Sequence, residues 1–372
     1  MIIKNKRIKV YHLSTVHPSY DTRIFYKECK NLVKAGYYVT LIAQHDRNEM
    51  IDGIKIIALP KAKNRIHRIF CLTIKAFCLA LKKKAAIYHF HDPELIPIGV
   101  LLKLLGNKVI YDVHEDVSED ILTKDWIPIV ARRLIARIFW IFEKYIVKCF
   151  SLVITATPFL GEKFFNAGCH TVTVNNYPIK DELYIQDSEW SKKDNVVVYV
   201  GAICDFRGIY EMIEAIGQTE ARLLLCGYFS PDEQRTKAMS LSGWAKVEEL
   251  GQVERYTLAK TLQKAKAGLV LFHPVSNHLD ALPNKMFEYM SAEIPVIASN
   301  FTAWKEIIEG NKCGICVDPL SPIDIAEAIC WIMTNPDEAK SMGENGRQAV
   351  VEKYNWENEW QKLRESYKVI LH

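Results

Sequence analysis

Residues 280–300 read DALPNKMFEYMSAEIPVIASN, a helix start, an amphipathic helix and an apolar strand in direct succession. Pro283 suits the first turn of a helix, and the run PVIAS predicts a buried strand after it. A helix followed by such a strand is one unit of a parallel sheet covered by helices. The peptide N–H groups of Asn284 and Lys285 then lie unpaired at the helix N-terminus, where they can bind phosphate oxygens.

The side chains of the same stretch extend this phosphate site. Lys285 adds a positive charge beside the peptide groups, and Glu288 lies on the same helix face at i+3. Its carboxylate can accept hydrogen bonds from two adjacent ribose hydroxyls. Asp280 precedes the helix and can reach hydroxyls of a group attached to the phosphate. The stretch therefore predicts a nucleotide-sugar site; the alternative is a surface helix with an unrelated Lys and Glu.

Outward from this stretch, β-branched runs alternate with helical patterns along the whole chain. Its 372 residues suggest two domains. Seven predicted strands fall in residues 1–180 and six in 195–354, separated by a polar linker at 181–194. The pattern predicts an α/β protein with two Rossmann-like, doubly wound domains facing across a cleft, with ligands at the carboxyl ends of the strands.

The net charge of +4 hides an uneven distribution. Residues 1–185 hold 28 Lys and Arg against 17 Asp and Glu, which indicates an anionic partner for this half. Residues 61–84 carry eight basic residues and no acid, and residues 126–150 form a second apolar and basic helix. Both fit a surface that meets anionic lipid headgroups; the alternative is sheet-covering helices with solvated charges. No nucleic-acid-binding motif accompanies the charge, so nucleic acid is not expected as a partner.

The location follows from what the chain lacks. The first 15 residues contain no uninterrupted apolar stretch of a secretory signal, and no apolar run reaches the roughly 18 residues of a spanning helix. Most of the ten cysteines sit in apolar periodic segments, as buried reduced thiols do. We therefore expect a cytoplasmic protein, peripheral at the inner face of the cell membrane.

Histidines mark the predicted strand ends of the first half. His114 ends the strand in YDVHED, where a doubly wound sheet exposes its functional groups. His89 and His91 alternate along another strand and face one way, with Asp92 next. No third ligand is spaced convincingly, so we expect no metal here, and His91 and Asp92 are placed on the acceptor side of the cleft.

Several stretches together resemble a known family. They are HPSYDTRIFYKECKNLVKAGYYVTLIA, HFHDPEL, YDVHE, YVGAICDFRGIYEMIEAI, LPNKMFEYMSAEIPVIAS and NWENEWQKLRESY. Over nearly the whole chain these are similar to retaining GT-B glycosyltransferases of family four, the group-1 type. The resemblance implies a C-terminal helix at about 355–372 that packs back onto the N-terminal, acceptor-binding domain. It also implies a hexosyltransferase without cofactor or metal, taking a sugar from a nucleotide diphosphate, UDP by preference, to a glycan or lipid-linked acceptor of bacterial surface polysaccharide, such as lipopolysaccharide or capsule.

The family's Glu-x7-Glu motif reads Asp280-x7-Glu288 here. By resemblance Glu288 holds the ribose, Asp280 meets the donor sugar, and His114 contacts a sugar hydroxyl near the reacting carbon. The family's first clamp residue for the diphosphate is Ala202 here. The second is Arg207, which leaves Lys285 as the natural substitute. The implied catalytic residues are His114, Asp280, Arg207 and Lys285; the implied donor site comprises Gly201, Arg207, Val253, Leu282, Pro283, Asn284, Lys285 and Glu288.

The resemblance also places the start of the first helix at the cleft. Asp21 is either an N-cap or a cleft residue, and Arg23 is expected to meet an anionic acceptor. The implied acceptor site thus comprises Asp21, Arg23, His91 and Asp92.

Two further hypotheses stay open at this point. One is an epimerase of the same fold acting on a UDP-sugar. The other is a non-catalytic sugar-nucleotide-binding partner subunit, which the departures at Ala202 and Asp280 suggest.

Overall fold

The computed structural model describes residues 8–82, 84–124, 127–186 and 189–372. They divide into two compact units, Met1–Asn176 with Glu359–His372, and Tyr177–Asn358. The predicted linker at 181–194 belongs to the second unit. Leu183 is buried in that unit's core and Ile185 packs against it, so this polar stretch is anchored by its few apolar side chains.

The first unit is built on an eight-stranded sheet in the order β3-β4-β2-β1-β5-β6-β7-β8. All neighbouring strands pair in parallel except β3 and β4, which form a hairpin around Asp52 and Gly53. Both turn residues have positive φ, and Asp-Gly suits such a two-residue turn. The strands are Lys9–Pro18 (β1), Tyr38–Gln44 (β2), Glu49–Ile51 (β3), Ile54–Leu59 (β4), Ile87–Phe90 (β5), Lys108–Val113 (β6), Leu152–Thr155 (β7) and Thr171–Thr173 (β8).

Helices of the first unit connect these strands. A π-helical segment, Thr22–Cys29, leads into α1, and another, Arg68–Leu72, joins α2 to α3. The α-helices are Lys30–Lys34 (α1), Arg65–His67 (α2), Thr73–Leu81 (α3), Ile96–Leu104 (α4), Val117–Leu122 (α5), Ile129–Ile146 (α6) and Pro158–Asn166 (α7). Short 3₁₀ turns cover Pro93–Leu95 and Val147–Cys149.

The second unit has a six-stranded, wholly parallel sheet in the order β11-β10-β9-β12-β13-β14. Its strands are Val196–Val200 (β9), Arg222–Cys226 (β10), Val247–Glu249 (β11), Ala267–Val270 (β12), Val296–Ser299 (β13) and Gly314–Val317 (β14). Its helices are Ile209–Gly217 (α8), Glu233–Met239 (α9), Arg255–Lys264 (α10), Ser276–Leu279 (α11), Asn284–Ser291 (α12), Thr302–Ile308 (α13), Pro322–Thr334 (α14) and Pro336–Glu352 (α15). Further 3₁₀ turns cover Trp190–Lys192, Asp205–Arg207 and Ser242–Lys246.

The last helix, Trp356–Leu371 (α16), begins in the second unit. From Glu359 onward, its residues belong to the first unit. Its Tyr367 donates to or accepts from His89 in β5 at 2.7 Å, and the Glu359 carboxylate accepts from the Asn175 backbone N–H at 2.9 Å. These buried contacts fix the C-terminal segment in the first unit.

The second sheet is apolar on both faces because helices cover each side. Along β9, Val196 and Val198 face one core cluster while Val197 and Tyr199 face the other. A nearly continuous hydrophobic run is what a parallel strand buried on both faces requires. The predicted α/β fold with two parallel-sheet domains is confirmed.

Candidate functional site

The loop after β9 brings two cations together. Gly201 has φ +112°, and a Cβ built on it would lie 3.4 Å from the Lys285 Nζ. Arg207 closes the same loop and donates from Nη1 to the Ala202 carbonyl at 3.2 Å. Glycine at 201 is required for the backbone conformation and leaves room for the two basic side chains.

Lys285 is the most unusual group in the second unit. Its side chain is buried, with 7% of the residue exposed, and its Nζ has no hydrogen-bond partner among the described residues. The Nζ lies 3.6 Å from the centroid of the Tyr199 ring, a cation–π distance. Burial, and then the nearby Arg207, hold the pKa of Lys285 well below its usual range. An anion bound here would supply the counter-charge that this amine lacks.

Glu288 lies one turn along α12 and is held by Arg255, a residue that the sequence analysis did not single out. Arg255 donates from Nη1 to Glu288 Oε1 at 2.7 Å. It also donates from Nε and Nη2 to the two oxygens of Glu182, at 3.1 and 2.6 Å. Arg255 thus fixes the direction of the Glu288 carboxylate. No local pattern marked this residue, because the contact joins three separated segments.

The loop before α12 carries the remaining donor candidates. Pro283 has an extended backbone and directly precedes Asn284, the first helical residue, so it caps the helix rather than starting it as predicted. Trp304 donates from Nε1 to the Ala281 carbonyl at 2.7 Å and anchors this loop. Asp280 ends α11 and is exposed, as is Asn284.

Val253 and Leu282 complete the donor set of the second unit. Both are half-buried and pack against the core cluster that includes α12. Of the predicted donor residues, Gly201 and Arg207 therefore lie beside Lys285, and Asn284, Lys285 and Glu288 share α12. His114 and the predicted acceptor residues all lie in the first unit.

In the first unit, Asp112 at the end of β6 organises the polar side chains. It accepts from Arg23 Nε at 3.0 Å and Nη2 at 2.9 Å, and it lies 3.1 Å from His91 Nδ1. His114 Nε2 is 3.0 Å from the same carboxylate, and the His114 side chain is 16% exposed. Burial favours a raised pKa for Asp112, but Arg23 and His114 outweigh burial and hold the pKa well below its usual range.

Arg23 differs from its predicted role. It is only 2% exposed, and its Nη1 donates to the Val174 carbonyl at 2.8 Å. Its Nε also lies 3.0 Å from Glu28. A guanidinium paired with two buried carboxylates is not available to an external acceptor. Arg23 instead supports Asp112, which in turn holds His114.

The other three predicted acceptor residues also have internal partners. The Asp92 carboxylate is buried and accepts from the backbone N–H groups of Thr15 at 2.5 Å and Val16 at 3.2 Å. Asp21 is an N-cap, since its Oδ1 accepts from the backbone N–H groups of Arg23 and Ile24. His91 is buried as well.

His17 is a neighbour of Asp21, Asp92 and His114. It lies within the quoted HPSYDTRIF stretch, but it was not predicted as a site residue. Its Nδ1 lies 3.5 Å from Asp21 and its Nε2 lies 3.6 Å from Asp92. Its ring centroid is 4.8 Å from that of His114. Burial acts to lower the pKa of His17, but Asp21 and Asp92 outweigh it and raise the pKa. His17, Asp21 and His114 are the partly exposed members of this polar group.

Comparison with known sequences identifies the second unit. Residues 180–349 match the family model described as glycosyl transferases group 1. The GDP-mannose-dependent alpha-(1-6)-phosphatidylinositol monomannoside mannosyltransferase of Mycobacterium tuberculosis is 34% identical over 70 residues, 19% of this chain and 18% of that one. The capsular polysaccharide biosynthesis glycosyltransferase CapM of Staphylococcus aureus is 24% identical over 190 residues, 48% of this chain and 47% of that one. The chain thus spans about half or less of the curated relatives it matches.

Comparison with solved structures covers nearly the whole chain. Sucrose-phosphate synthase from Thermosynechococcus elongatus is 18% identical with a TM-score of 0.79, covering 98% of this chain and 99% of that one. HepE of Anabaena, solved in complex with UDP and glucose, is 14% identical with a TM-score of 0.74, covering 98% and 100%. The resemblance noted in the sequence is thereby confirmed for group and fold. The chain has the GT-B fold, and its residues 180–349 match the glycosyl transferases of group 1.

Proposed function

We propose that the protein is a retaining, metal-independent glycosyltransferase that moves a sugar from a UDP-sugar to a glycan or lipid-linked acceptor in bacterial surface polysaccharide biosynthesis. The observation that carries the proposal is the buried, unpartnered amine of Lys285 beside Arg207 and the N-terminus of α12. These positive groups suit a diphosphate better than a ligand with a single charge. A singly charged ligand would leave a cationic or N–H donor of the site without an acceptor.

The donor contacts follow from the geometry of the second unit. Arg207, Lys285 and the peptide N–H at Asn284 receive the diphosphate. Glu288, oriented by Arg255, accepts from the ribose hydroxyls through the carboxylate oxygen that Arg255 does not bond. Asp280, exposed before the helix, accepts from hydroxyls of the sugar.

The proposed transfer takes place on one face of the sugar. The bond from the anomeric carbon to the diphosphate breaks, and the two cations stabilise the charge that develops on the leaving group. The acceptor hydroxyl attacks from the same side and gives its proton to a leaving phosphate oxygen. No described carboxylate is assigned as a covalent nucleophile. His114, held by Asp112, contacts a sugar hydroxyl near the reacting carbon.

Two comparisons bear on the donor base. HepE was solved with UDP and glucose, whereas the mycobacterial relative is named as GDP-mannose-dependent. We propose UDP and test it by thermal shift across UDP-, GDP-, ADP- and dTDP-sugars. A ligand that binds only the folded protein stabilises it by about 2.7 kcal/mol at a hundredfold excess over Kd, so the preferred base stands out. A rise in melting temperature with the GDP-sugar alone would overturn the choice of UDP. No rise with any of the four nucleotide-sugars would show that the proposed donor site is wrong.

The reaction itself is tested with Lys285→Ala and Arg207→Ala. Loss of transfer by roughly 100-fold or more is expected from each, with the far-ultraviolet circular dichroism unchanged. Lys266→Ala is the matched control, since this partly exposed lysine donates from Nζ to the Asn195 side chain, away from the predicted donor residues. Normal transfer by both site variants would contradict the proposal. Wild-type protein that binds the donor but neither transfers nor hydrolyses it would be a non-catalytic binder instead.

The acceptor side of the proposal includes an anionic membrane surface. On α6, Val130 is 86% exposed, and exposed arginines at 133 and 137 lie among further exposed apolar residues. On the α2–α3 segment Ile66 is 71% exposed, with exposed lysines on both sides. Among the described residues, no helix has the length and apolar character to span a bilayer. Trp126 of the predicted segment 126–150 lies outside the described residues. A peripheral site at the inner face of the cell membrane fits these features.

Liposome flotation tests this surface. Wild-type protein should float with anionic vesicles at low salt and less so at high salt, because Lys and Arg contacts with the headgroups are screened. Val130→Asp with Leu134→Asp should abolish flotation. Ile323→Asp, an equally exposed apolar position of the second unit, is the control. Flotation that the α6 substitutions leave intact would exclude this surface.

A further inference from the structure

Three histidines and a glutamate meet inside the first unit, behind the partly exposed His114, whose Nε2 lies 3.3 Å from His91 Nδ1. His12 of β1 and His89 of β5 are register neighbours, and His91 lies two residues further along on the same face. Glu28, from the π-helical segment after β1, packs against that face. All four are buried, with His12, His89 and Glu28 fully enclosed. The fold thus assembles, from three elements, a cluster that no spacing in the sequence displays.

The distances between their atoms suit a single ion. His12 Nδ1 lies 3.0 Å from His91 Nε2 and 3.8 Å from Glu28 Oε2. Glu28 Oε2 lies 4.0 Å from both His91 Nε2 and His89 Nδ1. Tetrahedral zinc with metal–ligand bonds of about 2.0–2.1 Å separates its ligands by about 3.3 Å, within this range.

In three of these four side chains, the atom opposite the proposed ligand atom faces a further polar group. His91 Nδ1 lies 3.1 Å from Asp112, and His12 Nε2 lies 3.3 Å from the Tyr367 hydroxyl. Glu28 Oε1 lies 3.0 Å from Arg23 Nε. Metal-binding histidines commonly donate their other N–H to a carboxylate or similar partner, which fixes the tautomer. The arrangement therefore orients three of the four ligand atoms toward one point.

The cluster is not satisfied by hydrogen bonds alone. Within the described residues, the Oε2 of Glu28 and the Nε2 of His89 are buried without a hydrogen-bond partner, and Glu28 Oε1 contacts Arg23 as an ion pair. Arg23 is shared between Glu28 and Asp112, so one guanidinium serves two enclosed carboxylates. Buried polar groups left in this condition are costly, and a cation among them would satisfy Glu28 and the ring nitrogens together.

We propose that His12, Glu28, His89 and His91 bind one Zn²⁺ ion. The ion holds β1, β5 and the π-helical segment Thr22–Cys29 together. Four protein ligands leave no open position, which is the mark of a structural site. His89 Nδ1 exchanges its 2.7 Å contact with Tyr367 for the metal. The ion takes no part in sugar transfer. The sequence predicted no metal because His89 and His91 alone lacked further ligands; His12 and Glu28 supply them from distant positions.

Metal content is the primary test and does not depend on transferase activity. Full-length protein without a polyhistidine tag, grown with added Zn²⁺ and passed through a weak chelator, should retain about one equivalent of zinc by mass spectrometry. Protein grown with Co²⁺ should show the absorption of a tetrahedral N/O site without a thiolate charge-transfer band. That band would instead place the ion on some of the ten cysteines and overturn the proposal.

Variants locate the ion. Glu28→Gln keeps the shape of the side chain and should lower retained zinc about tenfold or more, whereas His170→Gln, at an exposed histidine, should leave it unchanged. If Glu28→Gln fails to fold, the wild-type zinc and cobalt measurements still decide the question. Folded wild-type protein holding less than about a tenth of an equivalent, or full retention by Glu28→Gln, would refute the site.

Discussion

Each unit buries a cation near the carboxyl end of a strand, and the two cations differ in what surrounds them. Arg23 of the first unit is enclosed with Asp112 and Glu28, and its guanidinium is bonded on several sides. Lys285 of the second unit is also buried, but its amine faces the Tyr199 ring and has no hydrogen-bond partner in the described chain. Two side chains that are buried to a similar extent therefore have different roles. Arg23 stabilises the fold, whereas Lys285 is available to bind an anion.

The presence or absence of internal partners distinguishes a residue that positions other side chains from one that binds a ligand. Residue type alone distinguishes them less well. Both cations were predicted to meet ligands, Lys285 because a basic residue at a helix start suggests an anion and Arg23 because the family resemblance places its loop at the cleft. The pairing decides between them. A buried charge whose partners are all internal stabilises the structure, and one without partners is stable only when a ligand supplies them.

The largest effect is expected for Arg23→Met. Removing the guanidinium leaves Asp112 buried without its cation and removes the ion pair with Glu28, which should lower the free energy of unfolding by about 3–5 kcal/mol. Urea unfolding followed by circular dichroism measures the loss. Arg222→Met is the control, since its 3.0 Å pair with Glu248 is about half exposed and should cost no more than about 1 kcal/mol. Equal losses in the two variants would show that the buried network is not what holds the first unit.

Lys285→Met should have the opposite signature. Transfer should fall by roughly 10²–10³-fold, because one of the cations that meets the leaving diphosphate is lost. The free energy of unfolding should stay equal or rise, since a buried amine without a partner is replaced by an apolar chain of similar length. Lys266→Met, on the surface of the same unit, should change neither quantity. A stability loss in Lys285→Met, measured in urea, would mean that this lysine is structural like Arg23.

Glu143 of α6 is an intermediate case, a buried carboxyl whose partner is the neutral hydroxyl of Tyr111 at 2.9 Å. Burial raises the pKa of Glu143 to about 7. Its contribution to stability is complete below the unfolded pKa of about 4.3 and is lost as the pH rises through about 7, at most about 4 kcal/mol. Glu143→Gln should therefore raise the melting temperature at about pH 8 and change it little near pH 4.

Glu162→Gln, on the exposed surface of α7, is the control for this pH dependence. A stabilisation by Glu143→Gln of the same size at both pH values would show that ionisation of Glu143 is not the cause.

The fold was largely predictable because short stretches of the sequence each show either a β-branched run or an amphipathic helix, and these alternate along the chain. The strand Glu49–Ile51 was missed although its turn, Asp52-Gly53, is a recognisable hairpin signal. The segment 181–194 was predicted as a linker from its polarity, whereas buried Leu183 and the packing of Ile185 tie part of it into the second core.

The site was predictable only where one short stretch holds it. Residues 280–288 combine a helix start, a cation and a carboxylate within two turns, so their grouping around α12 followed from local geometry. Arg255 and Glu28 escaped notice because their partners lie far away in the chain. The internal pairing of Arg23 was hidden for the same reason. Local patterns give the residue types of a site, but long-range packing decides which of them are already satisfied.

The smallest effect tests directly whether Lys285 lacks a counter-charge until the donor binds. Burial and then Arg207 hold its pKa well below the usual range in the free protein, and a bound diphosphate should raise it. Between these two pKa values the complex holds more protons than the free protein, so UDP binding should take up as much as about one proton and weaken as the pH rises. Calorimetry in buffers of different ionisation enthalpy measures the uptake. Lys285→Arg should still bind UDP but take up no proton, since a guanidinium stays charged throughout; undiminished uptake in this variant would assign the proton to another group.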